Sequence, residues 1–131
     1  MIDVLLVDDD HELRRAVAEY LTNAGLRVRD ADNVLRALRV LERERVHVIV
    51  TDDRMPGPAG LVLLETAKRR WPRAGRVLLA KTPLDAESRA RALAAGAEVY
   101  LTRERREVFL AAILRLVHER QAGPTPRSRP R

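Results

Sequence analysis

Five strand-like runs alternate with five helix-like stretches, and this predicts an α/β fold built on a parallel sheet. Two further observations carry the prediction. Runs such as Val4-Leu5-Leu6-Val7 and Val48-Ile49-Val50-Thr51 are short and continuously apolar rather than alternating, as strands covered on both faces must be. Each run also ends in carboxylates, Asp8-Asp9-Asp10 after the first and Asp52-Asp53 after the other.

The elements follow in order. Residues 3–7 read as a buried strand. Residues 10–24 read as an amphipathic helix, with Leu13, Val17, Tyr20 and Leu21 at helical spacing, Asp10 as N-cap and Gly25 as the stop. A short strand over 26–30 precedes a helix over 32–45 that groups Val34, Leu35, Leu38 and Leu41 on one face. The third strand is 47–51. The turn Pro56-Gly57-Pro58-Ala59-Gly60 opens a helix over 60–70, which Trp71-Pro72 ends because proline cannot continue it. A strand at 76–80, a helix at 84–95 closed by Gly96, a strand at 97–101 and a helix over 105–119 complete the series.

Parallel strands joined by right-handed crossovers and covered on both faces give a flavodoxin-like, doubly wound five-stranded sheet of order 2-1-3-4-5 with five helices. In that order the first and third strands are neighbours. Asp8, Asp9 and Asp52 then lie side by side at the carboxyl ends of the strands, where open α/β sheets bind ligands. Converging carboxylates repel one another unless a cation joins them, and hard oxygen donors suit Mg²⁺.

Composition sets limits. The 131 residues suit one domain with a core, expected over 1–120. The Pro/Arg-rich stretch 121–131 is expected to be a disordered tail or linker. There is no cysteine, hence no disulfide framework, and no apolar run long enough to span a membrane, so a cytoplasmic location is the expectation. Net charge is +6, but three arginines fall in the acid-free last eleven residues, so the rest is only mildly basic. Direct nucleic-acid binding is not expected. His11, His47 and His118 are scattered and read as structural or solvated.

Asp52, two residues, then Met55-Pro56-Gly57 after an apolar strand resembles the response-regulator receiver domain of two-component signalling, and the resemblance extends from residue 2 to about 119. It implies that Asp52 is the phosphoacceptor, that Asp9 is the main acid for Mg²⁺ with Asp8 as its partner, and that the backbone carbonyl of Arg54 completes the protein ligands. It implies a histidine kinase or phosphotransfer protein as donor. It further implies an output through a downstream protein, or a second copy of the chain, bound through the face of the fourth helix, fifth strand and fifth helix.

The chain also departs from the family pattern. The Ser or Thr that contacts the phosphoryl group after the fourth strand falls on Lys81; a one-residue slip makes it Thr82, and counting forward from Asp52 makes it Ala80. The usual Lys-Pro pair after the fifth strand is Arg103-Glu104. A planar guanidinium needs more room than an ammonium, and a loop without Pro is expected to be trans. Tyr100 matches the aromatic that rearranges on activation. Because Lys68 and Lys81 are the chain's only lysines, Lys81 is a candidate to pair with Asp52. The leading reading is an atypical receiver that takes phosphate on Asp52 and is not itself an enzyme. The alternative is a receiver-like interaction module that needs no phosphate, and a small Asp-nucleophile phosphatase is a distant third.

Overall fold

Strands that are apolar along their whole length have no polar face to offer water, and the computed structural model buries three of them completely. It describes residues 1–53, Met55, 60–102 and 104–122. The elements are β1 (Ile2–Val7), α1 (His11–Asn23), β2 (Val28–Ala31), α2 (Val34–Arg43), β3 (Val46–Asp52), α3 (Gly60–Arg70), β4 (Gly75–Ala80), α4 (Ala86–Ala95), β5 (Val99–Thr102) and α5 (Arg106–Ala122). The strands form one parallel sheet of order β2-β1-β3-β4-β5, as the alternation predicts. Every residue of β1, β3 and β4 is buried, while edge strands β2 and β5 are partly exposed.

Alternate residues serve opposite faces of the sheet. Leu5, Val7 and Ile49 pack with Val34, Ala37 and Leu41 of α2 and with Leu63 and Ala67 of α3. Val4, Leu6, Val48, Val50, Val77 and Leu79 pack on the other face against Val17 and Leu21 of α1 and Phe109, Ile113, Leu116 and Val117 of α5. A smaller cluster joins Leu64 and Leu78 to Ala92 of α4.

Local signals set the helix starts. Asp10 caps α1 by accepting from Leu13 N at 3.1 Å, Asn33 caps α2 by accepting from Arg36 N at 2.9 Å, and Asp85 caps α4 by accepting from Ser88 N at 2.7 Å. The Ser88 backbone hydrogen bond holds the Asp85 carboxyl below the usual carboxylate range. Gly96 ends α4 with φ +117°, a conformation that side chains resist.

Two expectations need correction. Leu35, assigned to the core face of α2, is 63% exposed; Val34, Ala37 and Leu41 form the buried stripe, and Leu35 lies about 100° round the helix from it. The last helix does not stop at 119 but continues through Ala122, because Gln121 Nε2 donates to Asp3 Oδ1 at 2.8 Å and ties its end to the sheet. Of the stretch expected to be a tail, residues 123–131 lie outside the described residues.

Candidate functional site

Hydrogen-bonded register between β1 and β3 pairs Val7 with Thr51. Asp8 therefore leaves the end of β1 beside Asp52, the last residue of β3. Carboxylate oxygens of Asp8, Asp9 and Asp52 lie within 4.8 Å of one another, with Asp8 and Asp52 buried and Asp9 exposed. Asp8 is oriented locally: its Oδ1 accepts from Asp10 N at 2.9 Å, and its carbonyl accepts from Arg14 Nη1 at 2.9 Å. Arg14 is itself held by Asp30 at 2.8 Å. Asp10 is committed to capping α1 and stands apart from the cluster. Three hard oxygen donors, two buried and one reaching solvent, fit a small divalent cation with water on its open side.

Asp53 is half-buried and outside this cluster, and its Oδ1 is buried without a hydrogen-bond partner. The expected roles of the Arg54 carbonyl and of Arg103 fall on residues outside those described.

One residue that the sequence reading passed over is Gly60. A Cβ there would stand 2.1 Å from the Asp52 carbonyl oxygen and 2.9 Å from Thr51 Oγ1, so only glycine lets α3 begin against the end of β3. The signal was available: glycine is a poor helix former, and placing one at a helix start asks for a reason.

The family model for the response regulator receiver domain matches residues 4–115. The chain belongs to the response-regulator receiver family. Among curated relatives, it is 36% identical to the response regulator protein FleR of Pseudomonas aeruginosa over 95% of its own length and 26% of FleR. It is 36% identical to PetR of Rhodobacter capsulatus over 92% of its length and 52% of PetR. It thus spans about half, or less, of the relatives it matches. Its fold superimposes on a CheY-like receiver domain protein of Methanospirillum hungatei with a TM-score of 0.85, covering 95% of this chain and 99% of that one at 23% identity. The BeF3-activated receiver domain of DrrB, from Thermotoga maritima, gives 0.80 at 28% identity, covering 91% and 99%.

In this receiver the residues after β4 are laid out as follows. Asp52 pairs with Leu79 across the sheet, Ala80 is the buried last residue of β4, and Lys81 and Thr82 follow it, both exposed. The anticipated Lys81–Asp52 pair is not formed; Lys81 makes no ion pair among the described residues. An ammonium on a flexible stem at a strand's end gains more from hydration than from entering the pocket. Tyr100 is half-buried on β5. Its Oη accepts from Leu84 N at 3.2 Å, and the Arg89 guanidinium sits 5.1 Å from its ring centroid. Tyr100 therefore links β5 to the loop that carries Lys81 and Thr82. No helix among the described residues is long and apolar enough to cross a membrane.

Proposed function

We propose that this receiver is a cytoplasmic phosphoacceptor in which Asp52 takes a phosphoryl group with Mg²⁺ bound, and that it signals through protein contacts rather than by catalysis. The observation that carries the reading is the convergence of Asp8, Asp9 and Asp52 carboxylate oxygens within 4.8 Å. Asp8, Asp9 and Asp52 would hold the ion, with Arg54 contributing its carbonyl. The ion supplies positive charge that lets an anionic donor approach anionic carboxylates. Asp52 then acts as nucleophile: one of its oxygens bonds to phosphorus as the bond from phosphorus to the donor's leaving group breaks, leaving an acyl phosphate. Donors of suitable chemistry are a phosphohistidine on a kinase or phosphotransfer protein, or acetyl phosphate.

Burial of Asp52 supports this assignment, since the nucleophile is shielded from bulk water while Asp9 beside it remains open to it. Output is assigned to the face of α4, β5 and α5, where Tyr100 bridges β5 to the loop leaving β4. That face carries exposed Leu93 and Val108 among charged residues such as Arg89, Arg91 and Glu107.

The test is phosphorylation by acetyl phosphate with and without Mg²⁺, read by intact mass. One added phosphoryl group that needs Mg²⁺ and is absent from Asp52→Asn is the expected result. An unmodified wild-type chain under conditions that label a control receiver would overturn the reading.

A further inference from the structure

The opposite end of the sheet carries a second cleft, made by the loops that feed the strands. It has a volume of about 600 Å³ and is lined by Arg27, Arg45, His47, Arg73, Arg120 and Gln121, among others. Concave sites of this size are in the range that holds small ligands. β1 is six residues long, so the cleft is roughly 20 Å from the acidic pocket at about 3.3 Å per residue.

Four arginines line it, from four separate segments. Arg27 precedes β2, Arg45 precedes β3, Arg73 precedes β4, and Arg120 is on the last turn of α5. The nearby carboxylates do not neutralise all four. Asp3 is matched by Arg27, Glu98 by Arg120 and Arg76, and Glu44, in the adjoining recess, by Arg29. Arg45 and Arg73 have no carboxylate partner among the described residues. One buried polar atom among the cleft's lining residues, Arg120 Nε, also lacks a hydrogen-bond partner, whereas His47 Nδ1 faces the Asp3 carboxylate at 3.4 Å. Like charges gathered without a counter-ion call for an anion, as the three aspartates at the other end call for a cation.

The cleft does not end at the arginines. Arg45, Val46 and Arg73 also line an adjoining recess of about 330 Å³, walled by Leu41, Trp71 and Ala74 with Glu44 and Arg70 at its edge, the Arg70 guanidinium covering one face of the Trp71 ring at 4.4 Å. A ligand that fills both parts is anionic at one end and flat or apolar at the other. Forked guanidiniums suit the several oxygens of a phosphate better than a single side-chain carboxylate. An aromatic wall beside them suits a base. A concave site of limited volume does not match the long backbone of a duplex.

We infer that this cleft binds a nucleotide, with its phosphates on Arg45 and Arg73, supported by Arg27 and Arg120, and its base in the recess beside Trp71. The site is independent of phosphoacceptance at Asp52.

Trp71 is the chain's single tryptophan, so its fluorescence reports this recess alone. The experiment titrates ADP into the full chain without Mg²⁺, with pyrophosphate, polyglutamate and a DNA duplex as comparison ligands. The expected result is saturable quenching by ADP and displacement by pyrophosphate. Affinity should fall at least about tenfold in Arg45→Gln/Arg73→Gln, as expected when hydrogen bonds to a charged group are lost. Asp52→Asn should bind ADP like wild type. Both arginines are exposed, so the double variant should unfold at the wild-type temperature; if it does not, Arg73→Gln alone carries the comparison. Absence of saturable quenching, equal affinity in the variant, loss of binding in Asp52→Asn, or preference for polyglutamate or duplex over ADP would each overturn the inference.

Discussion

The two ends of the sheet place buried aspartates in opposite circumstances. At the amino end, Asp3 sits in β1 at 3% exposure and is enclosed by donors: Arg27 N at 2.8 Å, Arg27 Nε and Nη2 at 3.1 and 3.0 Å, and Gln121 Nε2 at 2.8 Å; the His47 ring lies beside it, with Nδ1 3.4 Å away and not hydrogen-bonded. Burial alone would raise its pKa, but the Arg27 and Gln121 hydrogen bonds and the Arg27 charge outweigh burial and hold it at about 2. At the carboxyl end, Asp8 and Asp52 are just as buried, yet with Asp9 they face one another. A carboxylate surrounded by donors and an arginine stabilises the fold. Carboxylates gathered together favour whatever cation arrives. Residue type and burial are the same; the difference is that Asp8 and Asp52 share their end of the sheet with a third acid and Asp3 does not.

Four experiments would break or sharpen this contrast. The largest effect is expected at Gly60, where the carboxyl end is shaped by backbone rather than charge. Gly60→Val should cost about 3 kcal/mol in urea unfolding, because α3 or the Asp52 carbonyl must move to admit the side chain. A near-neutral result would show that the close approach to Asp52 is dispensable.

Next comes Asp3→Asn, expected to lose about 2 kcal/mol, the value of a shift from 3.8 to about 2 at roughly 1.4 kcal/mol per pKa unit. If the variant were as stable as wild type, Asp3 would be no different from the acids at the other end.

The third is pH dependence. A folded pKa below the unfolded value means the unfolded chain binds the proton more readily, so Asp3's contribution is complete above 3.8 and is lost as pH falls toward 2. The stability gap between wild type and Asp3→Asn should stay constant from neutral pH down to about 4, then close between about 4 and 2. A gap that persists at the acid end would assign the effect to packing rather than charge.

The smallest effect is expected at Asp9. Without Mg²⁺, Asp9→Asn should raise stability by up to about 1 kcal/mol, the scale of one like-charge contact in water. Millimolar Mg²⁺ should reverse the order, stabilising wild type more than the variant. The same order with and without the ion would mean that the three acids do not act on one cation.

The acidic end was legible from sequence because its signal is local. Each acid directly follows an apolar run, and alternating elements dictate that the first and third strands are neighbours. The details after β4 were less legible. Counting could not choose among Ala80, Lys81 and Thr82, since a one-residue shift at a strand's end reverses which face a side chain takes. Chain composition suggested a Lys81–Asp52 pair, but the structure leaves Lys81 in solvent. The amino end gave no readable motif at all. Asp3, Arg27, His47 and Gln121 span 118 positions, and nothing in their spacing announces that they meet.

By itself, then, the sequence determined the α/β architecture, the strand order and the gathering of Asp8, Asp9 and Asp52, because hydrophobic period and right-handed crossovers leave few topologies open. Tertiary structure alone decided that α3 begins against the Asp52 carbonyl, which is the reason for Gly60, that α5 runs on to Ala122, and that four arginines distant in sequence share one cleft. Those outcomes depend on distances between elements, and such distances are set only when the two faces of the sheet are packed.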